Sequence, residues 1–221
     1  MTSTPWSRPA RGARGPAPSH SRDEIVDAAI AMADAGGIGA VSMRAVATAL
    51  GTGAGSLYRY LSSRDDLLDL MADRAAGELR PYPDASGDWL DGMLRVARRQ
   101  LELYRRHPWL VDVLARPAAL GPQSLGWFDH CLGVLRPVPA ATAAKFEAIA
   151  MMIGVVSLFA RSESAGPPAG FDGIDMTAFP NLIAALTTPP ARAPGRRDLF
   201  DVTVSSVLRG VLAQNGGTAT D

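Results

Sequence analysis

The stretch at residues 42–61, SMRAVATALGTGAGSLYRYL, constrains the fold more than any other part of this chain. Its first half predicts a short helix, because Ser42 can cap a first turn and apolar residues recur at helical spacing up to Gly51. Thr52 is placed to cap a second helix. Two short helices joined by a glycine-containing turn form a helix-turn-helix, whose second helix can enter a DNA major groove. The predicted inner side of the second helix comprises Leu57, Tyr58 and Leu61.

The outward side of this second helix carries side chains suited to DNA. Small residues stand at the start of this helix, where the base edges of the DNA would lie. Tyrosines and arginines, which bind phosphates, follow them. Arg44, near the start of the first helix, is a further candidate for a base contact. The alternative is a helical hairpin whose polar residues only face water. The predicted DNA-binding residues are Ser42, Arg44, Thr52, Ala54, Gly55, Ser56, Tyr58, Arg59, Tyr60 and Arg64.

Residues 21–72 resemble the DNA-binding domain of the TetR family, the tetracycline-repressor-like regulators. The segments that carry the resemblance are Ile25–Ala29, Val41–Ala47, Leu50–Gly51, Ser56–Leu61 and Arg64–Leu68. The resemblance implies operator contacts by Arg44, Ser56, Tyr58, Tyr60 and Arg64. Ala54 and Gly55 depart from the commoner pattern of the family.

Helix signals on both sides of the helix-turn-helix complete a first domain. Ser21 and Glu24 match a capping box at the start of a helix that ends in the glycine cluster at residues 36–39. Ser63 is placed to cap another helix, with acidic residues in its first turn. Pro81 ends that helix. These signals predict a three-helix helix-turn-helix domain over residues 21–80, followed by a short linker at 82–87.

Charge is uneven along the chain, although the formal net charge is zero. The first 22 residues hold four arginines and no acid, which places positive charge beside the predicted DNA-binding unit. Residues 1–20 are rich in proline and small residues, which predicts a disordered basic leader; an arm that touches DNA is the alternative. Cys131 is the only cysteine, no apolar run approaches about 20 residues, and no secretion segment opens the chain. A cytoplasmic protein is therefore expected.

Helical spacing continues over residues 88–213, and no strand pattern competes with it. Predicted helices lie at about 88–106, from 109, and at 124–135, 139–163, 176–186 and 199–212. The expected fold is all-α: a three-helix helix-turn-helix DNA-binding domain followed by a larger helical ligand-binding and dimerisation domain. Helix 139–163 is apolar nearly all round at its centre, so both its own domain and a partner should cover it.

This second region resembles, more weakly, the C-terminal domain found with some TetR-family regulators. The resemblance rests on the His107–Leu110 segment, the Leu120–Pro122 turn and the long helix with Gly154. It implies a homodimer formed through helices 139–163 and 197–213, and a small-molecule pocket.

Large and adaptable side chains are the candidates for such a pocket, with two histidines and the cysteine as polar contacts. As a group they favour a flat, apolar or aromatic effector over a charged one. Plain core packing is the alternative for each of them. The predicted effector-binding residues are Trp89, Met93, His107, Trp109, Trp127, Phe128, Cys131, Met151, Met152 and Phe159, with His130 as a further polar candidate.

Neither catalysis nor a metal is predicted. The glycines at 51–55 lack the preceding strand of a phosphate-binding loop, and no local signature suggests a Ser/His/Asp set. His107 and His130 have no carboxylate or thiolate at ligand spacing along the chain, so no metal or other cofactor is expected. The predicted function is a transcriptional regulator of double-stranded operator DNA, a repressor released by a small apolar effector. The alternatives are an effector-independent dimeric regulator or activator, and a small helical enzyme.

Overall fold

The computed structural model describes residues 6, 20–117, 119–164, 170–171, 173–187 and 198–214. Regular structure within these ranges is helical throughout, which confirms the all-α prediction. The predicted leader lies outside the described residues except for Trp6 and His20. The α-helices are α1 Arg22–Gly36, α2 Met43–Ala49, α3 Ala54–Leu57, α4 Arg64–Ala76, α5 Trp89–Arg106, α6 Trp109–Leu114, α7 Pro122–Val134, α8 Thr142–Ser164, α9 Pro180–Thr187 and α10 Leu199–Gln214. Short 3-10 turns occupy Ile38–Ala40, Gly77–Leu79 and Met176–Ala178.

Three serines cap the helices of the first domain as their sequence context predicts. The Ser21 hydroxyl accepts from the Glu24 amide at 3.1 Å, and the Glu24 carboxylate accepts from the Ser21 amide at 2.6 Å. Ser42 caps α2, and Ser63 caps α4 in the same way. Gly51, at φ 64°, occupies the turn between α2 and α3, where a side chain would be strained. These short-range interactions explain why the helix starts could be read from the sequence.

Two details of the helix-turn-helix differ from the prediction. Thr52 does not cap α3, because its amide is still bound to the Ala47 carbonyl at 2.9 Å and the turn has not yet ended. The N-cap is Gly53, which offers no side-chain oxygen. The inward placement of Tyr58 is also wrong: α3 ends at Leu57, and the turn that follows leaves Tyr58 50% exposed.

Helix α4 joins the two parts of the molecule. Leu67, Leu68 and Met71 are buried in one hydrophobic core that continues from α1 into α5 and α7. Two carboxylates of the same helix, Asp69 and Asp73, are also buried. A movement of α4 would therefore displace packed residues in both parts of the molecule.

The second part is a bundle in which α5, α8 and α10 pack together. Buried residues recur along α8 at Ile149, Met152 and Val156, and along α10 at Val204 and Leu208. Arginines of α5 pair with acids of the neighbouring helices: Arg105 with Glu163 of α8 at 2.7 Å, and Arg98 with Asp201 of α10. The opposite face of α8 stays exposed.

Several helix boundaries in the second part differ from the prediction, and α8 begins at Thr142 rather than at residue 139. Pro122 opens α7, two residues before the predicted start, and the buried stripe of α7 includes Trp127 and Cys131. Leu125, whose spacing with Phe128 and Leu132 predicts an inward position, lies away from that stripe and is 53% exposed. The single helix predicted over 176–186 is broken before Pro180, because the residue preceding a proline disfavours the helical conformation.

The long helix α8 is apolar over a longer stretch than the unbroken run of apolar residues at its centre. Within the described residues, Thr142–Glu163 is long and apolar enough to cross a bilayer by length and composition. One third of the most apolar 18-residue stretch of this helix is buried inside the protein. The core helix of a globular protein meets the same criterion of length and composition. The short apolar run at its centre had led us to expect no such segment.

Candidate DNA-binding surface and effector cavity

The helix-turn-helix presents its predicted DNA-binding residues on the surface of the protein. Leu57 and Leu61 anchor the second helix in the core, with 1% and 2% of their surface exposed. Each of the ten predicted residues is exposed or half-buried. The exposed ones are Ser42, Arg44, Gly55, Tyr58, Arg59 and Arg64, and the half-buried ones are Thr52, Ala54, Ser56 and Tyr60. DNA contact by these side chains remains a prediction, and the geometry leaves all of them accessible to a duplex.

Arg64 has a structural role that the sequence did not reveal. Its Nε donates to the Val41 carbonyl at 2.9 Å, and its Nη2 donates to the Ile38 carbonyl at 3.0 Å. These bonds tie the first turn of α4 to the loop that leads into α2. Arg64 therefore positions the first helix of the helix-turn-helix, in addition to any contact with phosphate. The partners lie 23 and 26 residues away, beyond the reach of a local motif.

A cavity of about 220 Å³ lies beside α4 in the second part of the molecule. Five α-helices, the 3-10 turn Gly77–Leu79 and Leu120 form its wall, and that wall is mainly aliphatic and aromatic. The lining residues are Ala72, Ala76, Leu79, Gln100, Leu103, Tyr104, Leu110, Leu114, Leu120, Ser124, Trp127, Phe128 and Ile153. Trp127 and Phe128 were predicted for an effector pocket. Gln100 and Tyr104 were missed, because a polar side chain within a helix pattern gives no sign that it faces a cavity.

The other predicted effector residues do not line this cavity. Met93, Cys131 and Met152 are fully buried in the core, while Met151 is 54% exposed on the outer face of α8. Phe159 packs edge-on against Phe200 with ring centroids 5.1 Å apart. Trp89 and His130 are half-buried, and His107 and Trp109 belong to a polar cluster described next.

His107 connects the two parts of the molecule. Its Nδ1 lies 2.7 Å from Asp34 of α1, and its Nε2 lies 3.0 Å from Glu78. The Trp109 indole donates to the same Asp34 carboxylate at 2.6 Å. Both carboxylates are distant in sequence, so spacing along the chain gave no sign of them. Each ring nitrogen has its own carboxylate, so the groups do not converge, and no described cluster of His, Cys, Asp and Glu is arranged to hold a metal ion.

The two buried carboxylates of α4 hold the segment between α6 and α7. Asp69 pairs with Arg116 at 2.5 Å and accepts from the Ala119 amide at 3.2 Å. Asp73 accepts from the Ser124 amide at 2.9 Å, in the first turn of α7, where a negative charge is favoured by the helix dipole. The held segment includes lining residues of the cavity, so the cavity wall and α4 are linked directly.

Cys131 is expected to be inert toward thiol reagents in the folded protein. The residue is fully buried, and burial raises the pKa of the Cys131 thiol to about 12, so almost no reactive thiolate forms at pH 8. We expect reaction with Ellman's reagent at pH 8 to be at least about 100-fold slower than in guanidinium chloride. Equally fast reaction in both conditions would contradict the buried placement.

Comparison with known proteins agrees with the fold. The family described as "Bacterial regulatory proteins, tetR family" matches residues 25–71, and "Tetracyclin repressor-like, C-terminal domain" matches residues 81–215. The HTH-type transcriptional repressor DrrR1 of Streptomyces coeruleorubidus is 40% identical over 159 residues, which cover 72% of this chain and 59% of DrrR1. An HTH-type transcriptional regulator of Saccharopolyspora erythraea is 32% identical over 120 residues, or 54% of this chain and 50% of that protein. The chain thus spans half to three fifths of these relatives.

Solved structures resemble the whole described fold. ActR of Streptomyces coelicolor in complex with actinorhodin is 27% identical, with a TM-score of 0.72 over 90% of this chain and 99% of ActR. The complex of ActR with (S)-DNPA is 26% identical, with a TM-score of 0.70 over 89% of this chain and 99% of ActR. The family matches to both parts of the chain lead to one conclusion: this protein belongs to the TetR family of helix-turn-helix transcriptional regulators.

Proposed function

We propose that this protein is a dimeric transcriptional repressor that binds a palindromic operator and is released from it by a small, largely apolar effector. The observation that carries the proposal is the direct connection of an apolar cavity to an exposed helix-turn-helix through α4. Relatives named as repressors, and a structural neighbour solved with actinorhodin and with (S)-DNPA, support the same function. A cytoplasmic location follows from this role, and neither a cofactor nor catalysis forms part of it.

The dimer would form through the outer face of α8, together with α10. Phe146, Met151 and Leu158 are between 48% and 67% exposed on that face. Gly154 lies on the same face, and nothing stands within 4 Å of the position a Cβ would occupy there, so a partner helix can approach closely. An isologous pair of such faces would set two α3 helices about 34–36 Å apart, or a multiple of that distance, which matches successive major grooves.

Release would follow the contacts of α4. An effector that presses on Leu114 and Leu120 displaces the segment that Asp69 and Asp73 hold. Because Arg64 at the other end of α4 holds the loop before α2, the same displacement reaches the helix-turn-helix. A nearly complete switch needs about 5.5 kcal/mol of differential effector affinity for the two states.

Selection of DNA from random duplexes with the purified protein tests this function, and three variants test its residues. Tyr58→Phe is expected to weaken binding to every selected operator by about fivefold, because one phosphate hydrogen bond is lost. Arg44→Ala should reduce the difference in binding free energy between the preferred and the other bases at one position by about 1–3 kcal/mol. Arg64→Ala should weaken all binding and also lower the melting temperature, since two loop carbonyls lose their donor. Gel shifts and thermal melts measure these effects.

Arg136→Ala is the matched control, because it also removes an exposed positive charge, in the turn after α7 and away from the helix-turn-helix. It should leave operator binding within about twofold of the parent protein. Selection that enriches no sequence would overturn the proposed function. Enrichment of an operator whose affinity all three variants leave unchanged would overturn the residue assignment alone.

The size of the cavity favours a second candidate function. Pockets for small molecules usually measure about 300–1,000 Å³, whereas this cavity measures about 220 Å³. An effector-independent dimeric regulator, either a repressor or an activator, needs no larger pocket. Thermal-shift screening of small apolar compounds separates the two, because a ligand that binds the folded state raises its melting temperature.

A further inference from the structure

The cavity beside α4 makes specific chemical demands on any molecule that enters it. None of its described lining residues carries a formal charge, and most are aliphatic or aromatic. A charged ligand would lose its hydration here without gaining an ion pair, so the wall selects against it. An apolar cavity of about 150 Å³ accepts benzene, so about 220 Å³ suits one substituted ring or a compact two-ring compound.

One lining residue offers a hydrogen-bond acceptor, and its orientation can be worked out from its neighbours. The Ser157 hydroxyl donates to the Ile153 carbonyl at 2.8 Å, so its oxygen accepts the hydrogen bond that joins it to Tyr104. The Tyr104 oxygen in turn accepts from Gln100 Nε2 at 2.6 Å. Burial raises the pKa of Tyr104 to about 12, so this hydroxyl keeps its proton. The hydrogen bonds therefore run from Gln100 to Tyr104 and from Tyr104 to Ser157. Gln100 Oε1 is left buried and has no partner among the described residues.

A second lining residue offers a donor. The Trp127 indole Nε1–H is buried and has no partner among the described residues. The ring is held in place by Tyr82 and His130, whose centroids lie 5.6 Å and 6.0 Å from it. A buried polar group without a partner is destabilising, so two of them in one cavity wall indicate partners supplied by a bound molecule.

We infer that the effector of this cavity is an uncharged, compact aromatic compound of the hydroxyaryl-ketone class. Its hydroxyl would donate to Gln100 Oε1, and its carbonyl would accept from Trp127 Nε1. The inference rests on the proposed function, because it assigns the chemistry of the same effector site. Gln100 Oε1 and Trp127 Nε1 are both buried beneath the surface of the cavity wall. A ligand therefore reaches them only when side chains of α5 and α7 shift, so binding of the ligand is coupled to movement of the wall.

Four compounds of nearly equal size test the two hydrogen bonds by calorimetry with the full chain. Tetralin has neither group, 1-tetralone has the acceptor, 5,6,7,8-tetrahydro-2-naphthol has the donor, and the hydroxy-1-tetralone isomers have both. We expect the best hydroxytetralone isomer to bind at least about 10-fold more tightly than tetralin, because each net hydrogen bond contributes about fivefold. The carboxylate of tetralin is expected not to bind.

Two variants that each remove one hydrogen-bonding group separate the contributions. Gln100→Met should remove the advantage of the naphthol over tetralin, and Trp127→Phe should remove the advantage of 1-tetralone. Each advantage is measured relative to tetralin on the same variant, because the smaller phenylalanine ring also changes the cavity wall. Thermal melts of each variant establish that it folds. The comparison of the four compounds on the parent protein stands even if a variant does not fold.

Equal affinities for tetralin and every hydroxytetralone, or tighter binding of the carboxylate, would overturn the inference. So would variants that fold and retain both advantages. Calorimetry without DNA keeps these outcomes separate from the proposed function. A hydroxytetralone that binds as expected but leaves the operator complex intact would support the ligand class and contradict effector release. Operator binding with no response to any of the compounds would leave the regulator in place and overturn the ligand class.

Discussion

Replacing Met151 and Leu158 together by aspartate is expected to convert the proposed dimer to a monomer. Both side chains project from the outer face of α8, with 54% and 67% of their surface exposed. In a dimer each aspartate would be buried against the partner helix, and burial of an unpaired carboxylate is strongly unfavourable. In a monomer the same aspartates face water, so the fold itself should be retained.

Loss of the dimer should reduce operator affinity by about 100-fold or more, because two linked recognition helices gain roughly 10²–10⁴ in avidity over one. Sedimentation or light scattering measures the mass, and a gel shift with the selected operator measures the affinity. Leu125→Asp is the matched control, since this leucine is 53% exposed on α7 and should leave both properties unchanged. A double variant that remains dimeric would refute the assignment of this face.

Gly121→Ala, at the N-cap of α7, is expected to cause a large loss of stability. A Cβ at this position would lie 2.2 Å from the Asp73 carboxyl carbon and 2.5 Å from both of its oxygens. Either the buried carboxylate or the start of α7 must move, and the hydrogen bond to Ser124 is then lost. We expect a loss of about 3 kcal/mol, or about 6–12 °C in melting temperature.

Gly133→Ala provides the control within the same helix. No atom lies within 4 Å of a Cβ at that position, so the added methyl meets open space. Alanine is the better helix former by about 0.5–1 kcal/mol, and this variant should be slightly more stable than the parent. Calorimetric or circular-dichroism melts of the two variants check the pair. Equal melting temperatures would show that α4 and α7 do not meet as closely as the structure indicates.

The failed predictions share a cause with the successful ones. Ser21, Ser42 and Ser63 were recognised as caps because each bonds an amide three residues away. Tyr58 was placed inward because helical spacing was extended past the real end of α3. The predicted stripe through Leu125 and the observed stripe through Trp127, Cys131 and Val134 both have helical spacing, so spacing alone does not select the buried one. Periodicity locates a helix well, but it misplaces residues beyond the real end of a helix and does not decide between two regular apolar stripes.

The candidate sites were predictable only in part. The residues that were missed owe their role to partners that are distant along the chain. Trp127 and Phe128 were named from their size, whereas Gln100 gave no signal, because its value as an acceptor depends on Tyr104 and Ser157. The surface of the helix-turn-helix was predictable as a unit, since its residues lie within 23 positions of one another.

The sequence by itself determined most of the helices, their serine caps and the exposed helix-turn-helix, because the interactions that specify them join residues within about four positions of each other. Only the tertiary structure decided that Asp34 and Glu78 share His107, and that Asp69 and Asp73 of α4 hold the wall of the cavity. These partners lie 29 to 73 residues apart, and a charged side chain carries no local mark of which distant group will meet it once the helices have packed.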